Sequence, residues 1–349
     1  MNNHIILAVL AVVGVLLSMR AGVGESFNPA SGHVNQALTN LVMKHPTAQN
    51  FIADQICNVV PVNHESDFYW FLDNPALLDH SNRTLKGPGG ESSKIELNWH
   101  QDSYRCDEHA LHDDLPHRTR DNADNQLQLE TEHVAAVRDG VQQAKEIRAA
   151  ATLFSATFMT NNADTAARWD DATPANIKIW NDVLDAQYKV AKFGGAQATH
   201  VAMGLTTWKN VAKYLMAQAG TSGGVRWGGL SELLKENPYA MPTEFCGMKL
   251  LVGTAMKSTA DRPANVSRAA SGGNIDDIWS DNCLVFHKGA PGIKSIQLCS
   301  RFMKTGWPRV RQGTYSDTRA SDWYEYAENE SGVKVVAPSC GFLIKNTET

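Results

Sequence analysis

The sequence predicts an α+β protein organised around one long amphipathic helix, and three observations carry that prediction. Between about Asn125 and Phe154, apolar residues recur every three or four positions, the period of a helix with one buried face. Ahead of it, two strand-like stretches flank "LKGPGGESS" (Leu85 to Ser93), which reads as a long hairpin with a glycine-rich tip. Behind it, helical patterns alternate with short apolar runs, the mark of a compact mixed unit.

The first element in order is an N-terminal arm reaching to about residue 61. It opens on "IILAVLAVVGVLLSM" (Ile5 to Met19), fifteen nearly unbroken apolar residues followed by Arg20 and "AGVG". That is short for a membrane span, which needs roughly 20 residues. It matches the apolar core and small-residue end of a secretory signal, although "MNNH" before it carries no Lys or Arg. Residues 1–24 are therefore set apart as an apolar leader with three readings. It is a cleaved export signal, or a stretch upstream of a true first residue at Met19, or a pro-segment or arm covered on assembly. On the second reading "MRAGVGESFNP" begins an ordinary polar arm.

The second element, 62–118, is the hairpin. "SDFYWFLD" (Ser66 to Asp73) is aromatic and strand-like, and "KIELNWH" sets Ile95, Leu97 and Trp99 on one face against Glu96, Asn98 and His100 on the other. A two-stranded ribbon is marginally stable in water and exposes two edges that invite pairing. Long excursions from compact domains usually have work outside them. The aromatic face of this ribbon needs a surface, and the inference is that a neighbouring subunit supplies it.

The returning limb contains "HALHDDLPHRTRDNAD" (His109 to Asp124), where three histidines and four aspartates share sixteen residues. A metal-dependent hydrolase would use His109, His112 and His117 with nearby aspartates. Against it, an H-x-x-H pair does not converge as an i, i+4 pair on a helix does, and Pro116 breaks any helix through the set. The plainer reading is a solvated limb ending in a polar turn and a capped helix. No catalytic, cofactor-binding or metal residue is assigned.

The third element, 119–164, holds the spine helix. Val134, Val137, Val141, Ala144, Ile147, Ala151 and Phe154 define its expected buried face. Asp124 or Asn125 caps its start, and Gly140 is a place for a bend. An insert at 165–290 follows. Thr173 and Pro174 read as N-cap and first residue of a helix with Ile177, Trp180, Leu184, Gln187 and Ala191 on one face. "ATHVAMG" reads as a buried strand, Trp208, Val211 and Leu215 as a helix, "SELLKE" as a brief helix, and "MKLLVGTA" and "NCLVFH" as strands. The last part, 291–349, offers "SIQLCSRFM" and "GVKVVAPSCGFLI" as strands joined by a polar, aromatic-containing segment.

Composition narrows the function. The 349 residues carry 32 Lys+Arg against 37 Asp+Glu, a formal net charge of −5, which argues against a dedicated nucleic-acid binder. The most basic stretch, "KTGWPRVRQ" (Lys304 to Gln312), reads as a strand's solvated edge. The six cysteines are scattered with no C-x-x-C, so buried free thiols are expected rather than a zinc or redox site.

Seven stretches in order then carry a family likeness. "FIADQICNVVPV" (Phe51 to Val62) runs into "ESDFYWFLD", and "DSYRCDEHAL" (Asp102 to Leu111) precedes "RDNAD" (Arg120 to Asp124) at the spine. "KLLVGTAMKSTA" (Lys249 to Ala260), "DDIWSDNCLVFH" (Asp276 to His287) and "VVAPSCGFLIK" (Val335 to Lys345) follow. The chain resembles the major capsid proteins of tailed bacteriophages, with the Hong Kong 97-type capsid fold, across about residues 45–345.

The resemblance implies an N-arm (1–61), an extended loop (62–118), a peripheral domain with the spine helix (119–164 and 291–349) and an inserted axial domain (165–290). It implies no enzyme, no cofactor and no metal. The work is self-assembly through pentamers and hexamers into an icosahedral shell around phage DNA, which is contacted non-specifically. Scaffold, decoration and portal proteins are the implied partners, the place is the virion after assembly in the host cytoplasm, and the mature form has no membrane. Some members crosslink through a lysine on the extended loop, and Lys86 sits near the hairpin tip here without an identified partner. The alternative with the same fold is the shell of a protein-loaded bacterial compartment.

Overall fold

A computed structural model of the chain describes residues 33–34, 50–72, 86, 88–92, 99–122, 126–165, 167–171, 173, 176–219, 241–260, 274–279, 281–290, 296–315 and 320–347. The apolar leader, Lys94 to Asn98, the cap at Asp124 or Asn125, and "SELLKE" lie outside the described residues.

In chain order, a two-residue strand β1 (His33–Val34) precedes a one-turn helix α1 (Ala53–Ile56) and β2 (Asn58–Val62). The ribbon is β3 (Ser66–Leu72) with β4 (Trp99–Arg105), and β5 (Asp107–Pro116) leads through α2 (His117–Asp121) into the long α3 (Gln126–Leu153). Then come β6 (Asn162–Asp164), α4 (Ile179–Gly194), β7 (His200–Gly204), α5 (Leu205–Ala219), β8 (Glu244–Phe245) and β9 (Met248–Gly253). A small pair, β10 (Met256–Ser258) and β11 (Ile275–Asp277), precedes β12 (Cys283–Phe286). The chain closes through β13 (Cys299–Lys304), β14 (Arg309–Thr314), β15 (Ser321–Val335), a 3-10 turn at Pro338–Cys340, and β16 (Gly341–Lys345).

Two six-stranded sheets organise these elements. The first runs β1-β14-β15-β13-β2, with β5 on the free side of β15. Strand β15 is its axis. Its residues Ser321 to Glu330 pair with β5 on one side, while β14 and then β13 line the other. The second sheet runs β6-β16-β12-β7-β9-β8. Both of its faces are covered, which is why its strands are near-continuous apolar runs. Val201, Met203, Val285 and Phe342 meet Val183, Val190, Trp208 and Val211 of α4 and α5 on one face. Leu251, Leu284, Phe286 and Leu343 meet Ile52, Ile56, Ala149 and Leu153 on the other. Strand β16, expected beside the closing strands, thus lies in the sheet of the insert, because the Pro338 turn carries the chain from one sheet to the other.

The spine helix falls where its periodicity places it, but half of its buried face differs. Val134, Val137 and Val141 are buried as expected. Beyond them the buried stripe continues through Lys145, Ala149 and Leu153, while Ile147 is 40% exposed and Ala151 is exposed. The apolar periodicity skipped the true stripe because a charged residue occupies it. Gly140 does not end α3. Its missing Cβ makes room for β5, since a Cβ there would sit 2.9 Å from the Leu111 side chain.

Helix α4 begins at Ile179, not at Thr173–Pro174. Asp171 captures the Thr173 N–H at 2.7 Å and the Asn176 N–H returns to the Thr173 carbonyl, closing a turn instead. Its buried face is Ile179, Val183, Ala186 and Val190, one residue round from the expected set, and Leu184 is exposed. The basic stretch 304–312 is likewise not a solvated edge. Arg311 lies between Glu108 and Glu325 inside the first sheet, at 2.9 and 3.5 Å.

Candidate functional site

Strands β3 and β4 pair in unbroken register from Ser66↔Arg105 to Leu72↔Trp99, and among the described residues each pairs only with the other. Side chains alternate between the two faces of such a ribbon. On the inner face, Tyr69 and Tyr104 lie over Phe302 with ring centroids at 5.1 and 4.3 Å, joined by Val60 and Cys106. The Tyr69 hydroxyl donates to Asp102 at 2.8 Å, and that bond holds the Asp102 carboxyl below its usual range. At the foot, Lys304 bonds Glu65 at 2.5 Å.

On the outer face, Phe68 and Trp70 are 61% and 53% exposed. The expectation that the ribbon's aromatics need a foreign surface therefore divides. The tyrosines rest on the chain's own first sheet, and Phe68 and Trp70 are what remains uncovered. Lys86, at the tip, is exposed.

The histidine-rich limb is strand β5, and a strand sends alternate residues to opposite faces, so His109 and His112 point apart. His117 is on α2, where its Nε2 meets Asp322 at 3.0 Å; Asp322 also accepts from Thr314 Oγ1 at 2.6 Å and from Arg120. Asp113 faces His133 at 2.6 Å. The set that a hydrolase would gather is dispersed to three places. Among the described residues no group of three His, Cys, Asp or Glu forms a metal-sized cluster. All six cysteines are free thiols, five of them buried.

The residues that sequence reasoning missed are charged and buried. Between α3, α1 and the first sheet, Lys145 meets Asp54 at 3.0 Å and Glu328 at 3.3 Å. Arg301 meets Asp54 at 2.5 Å and Glu330 at 2.9 Å, and Arg148 reaches Glu330 at 3.0 Å. Burial works to raise the Asp54 carboxyl, but the Lys145 and Arg301 cations outweigh it and hold it low. Two signals were available: a lysine continuing the Val137–Val141 stripe at spacing four, and "ENE" within a strand whose alternate residues are Tyr324 and Tyr326.

No family model matches the chain, and no curated protein matches it. Solved structures do. A phage-related protein from Bordetella bronchiseptica RB50 is similar over 91% of this chain and 98% of its own, with 16% identity and a TM-score of 0.63. A chain from Mycobacterium phage Che8 covers 88% of this chain and 94% of its own at 12% identity, TM-score 0.53. The capsid of cyanophage P-SCSP1u gives 93% of both chains at 12% identity, TM-score 0.52. The chain shares the mixed α+β fold of these phage chains. More narrowly, it matches the Hong Kong 97-type capsid fold, as the seven sequence stretches implied.

Proposed function

We propose that this chain is the major capsid protein of a tailed phage, a structural subunit that builds an icosahedral shell and has no catalytic role. The observation that carries the reading is the likeness to a phage-related protein and to a cyanophage capsid chain over 91% and 93% of the sequence. The residues at 1–61 act as an arm, 62–118 as an extended loop, 119–164 with 291–349 as a peripheral domain, and 165–290 as an axial domain. The partner is further copies of the chain in pentamers and hexamers, with scaffold, decoration and portal proteins as accessory partners and DNA inside.

Mechanically, each subunit offers Phe68 and Trp70 on an extended ribbon anchored by Tyr69 and Tyr104. A contact between unlike surfaces, repeated under a fixed rotation, closes a ring or shell. A ribbon rigid at its foot transmits that rotation, since Tyr104 and Phe302 are stacked within 15° of parallel.

Electron microscopy of the expressed full chain tests this. Closed particles are expected, and a stable monomer at high concentration overturns it. Removing Arg83 to Ser93 should leave a folded chain that no longer assembles. The nucleic-acid content of particles from infected or induced cells separates a genome container from a cargo compartment.

A further inference from the structure

Cys57 and Cys299 lie more than 200 positions apart in the chain, and the first sheet brings them side by side. Strands β2 and β13 run parallel with Asn58 opposite Ser300, so the residues just before these, Cys57 and Cys299, stand opposite one another at the end of the ladder. Cys57 keeps an extended backbone, φ −91° and ψ 141°, and so continues the line of β2. Asn58 and Ser300 share one face, where Asn58 donates to the Gln297 side chain and Gln297 donates in turn to Ser300 Oγ. By alternation Cys57 and Cys299 share the other face. There both are buried with Ile52, Ile56 and Leu298, and the Cys299 thiol is in hydrogen-bonding contact with Cys57.

This placement suits a covalent bond. Paired strands lie about 4.8 Å apart, inside the roughly 4.4–6.8 Å that disulfides span between Cα atoms. Among the described residues no other two cysteines are aligned on neighbouring strands; Cys283, for example, stands opposite Met203 and Ile344. Two cations, Lys288 and Arg301, act on the Cys299 sulfur, and Lys288 is held there by donating to the Gln55 carbonyl. A nearby cation favours the thiolate that exchange requires. Burial works the other way and raises the Cys299 thiol well above its ordinary range, so exchange needs the site to open.

We propose that Cys57 and Cys299 are a redox-controlled clamp, closing into a disulfide by exchange with a small-molecule disulfide and so fixing α1 to β13. Cys57 loses its proton, its sulfur attacks one sulfur of the small disulfide, and one small thiolate leaves. Cys299, deprotonated in turn, attacks the Cys57 sulfur and expels the second small thiolate. The two cysteines are oxidised, and the small disulfide is reduced to two thiols that carry off the two protons. The Cys57 N–H already closes α1 on the Ala53 carbonyl at 3.1 Å, so the new bond pins the end of that helix. In a shell subunit, as proposed above, the dithiol persists in the reducing compartment where the chain is made and closes in an oxidising one. The pairing itself does not depend on that function.

The full chain incubated with oxidised glutathione tests the clamp, in urea below the unfolding midpoint so that buried sites open locally. Alkylation and peptide mass spectrometry should find two of the six thiols lost and the Cys57 peptide joined to the Cys299 peptide within one chain. Cys57→Ala and Cys299→Ala should each keep all their remaining thiols. The closed loop of about 240 residues should raise the thermal midpoint by roughly 5 °C, and a reductant should reverse the rise. Retention of all six thiols overturns the proposal, as does a bond to any other cysteine or between chains. An unresolved glutathione adduct does the same, and so does a linked chain whose midpoint is unchanged or lowered.

Discussion

The double substitution Phe68→Ser with Trp70→Ser separates folding from assembly. Both side chains stand on the outer face of β3, 61% and 53% exposed, away from the Tyr69–Tyr104–Phe302 anchor. An aromatic of this size buries about 200 Å² when enclosed, so about 100 Å² of each is left for a neighbour to cover. At about 25 cal/mol per Å² that is roughly 2.5 kcal/mol each, or about 5 kcal/mol per ribbon contact. The loss of rotational and translational freedom on association is common to both forms of the chain, so the difference survives it. The expected result is an assembly threshold raised by about three and a half orders of magnitude, with urea stability unchanged within about 0.5 kcal/mol. Light scattering across a concentration series, checked by electron microscopy, measures the first quantity and equilibrium unfolding the second. Normal shells at ordinary concentrations would refute the assignment of this face to subunit contact.

Three further outcomes follow from the same structure. Arg301→Ala leaves Asp54 with Lys145 alone and the fully buried Glu330 with Arg148 alone, and should cost about 3–5 kcal/mol in urea unfolding. Asp322 is held below the ordinary carboxylate range: burial opposes this, but Thr314, His117 and Arg120 outweigh it. A depressed folded value gives stability that is present above pH 3.8 and lost as pH falls below it, so thermal melts of Asp322→Asn should show a shallower acid limb than the unaltered chain. Gly140→Ala gains about 1 kcal/mol of helix propensity but crowds Leu111. It should therefore stabilise the chain in urea unfolding only when combined with Leu111→Ala, and a gain of equal size without that partner would show the contact to be harmless.

The elements that were legible in the sequence are those marked by a continuous apolar or aromatic run or by a sustained helical period, even where Lys145 breaks the helix's apolar stripe. The ribbon strand at Ser66, the helix from Gln126 to Leu153, and the runs at Val201, Leu250 and Leu284 all fall where those patterns place them. What escaped was decided by tertiary pairing. In α4, Ile177–Trp180–Leu184 and Ile179–Val183–Ala186 satisfy the helical period equally well, and only the sheet beneath selects the second. "GVKVVAPSCGFLI" reads as one strand because nothing local records that Val335 and Phe342 belong to different sheets. At the candidate site, Phe68 and Trp70 were visible as aromatics. Their separation from Tyr69 and Tyr104 required Phe302, more than 200 positions away, to show which face was already taken.

The spine helix uses two chemistries against one strand, and the contrast bears on how such a subunit holds its shape. Near its start, Val134, Val137 and Val141 pack on Leu115, Tyr324 and Tyr326, an apolar contact that tolerates small sliding because dispersion has no direction. Near its end, Lys145 and Arg148 bridge Glu328 and Glu330 on the same strand. Well-packed apolar residues would serve stability as well or better there. Ion pairs differ in being addressed: a one-turn slip of about 5.4 Å would part Lys145 from both Asp54 and Glu328 at once. The ionic half therefore sets the axial register of α3 on β15, and α1 is locked into the same register because Asp54 bridges Lys145 of α3 and Arg301 of β13. Strand β13, which carries Arg301, also carries Phe302, the ring on which the ribbon stands. Register at the spine and direction at the ribbon are thus set by adjacent residues of one strand, which couples the subunit's interior to the surface proposed to meet its neighbour.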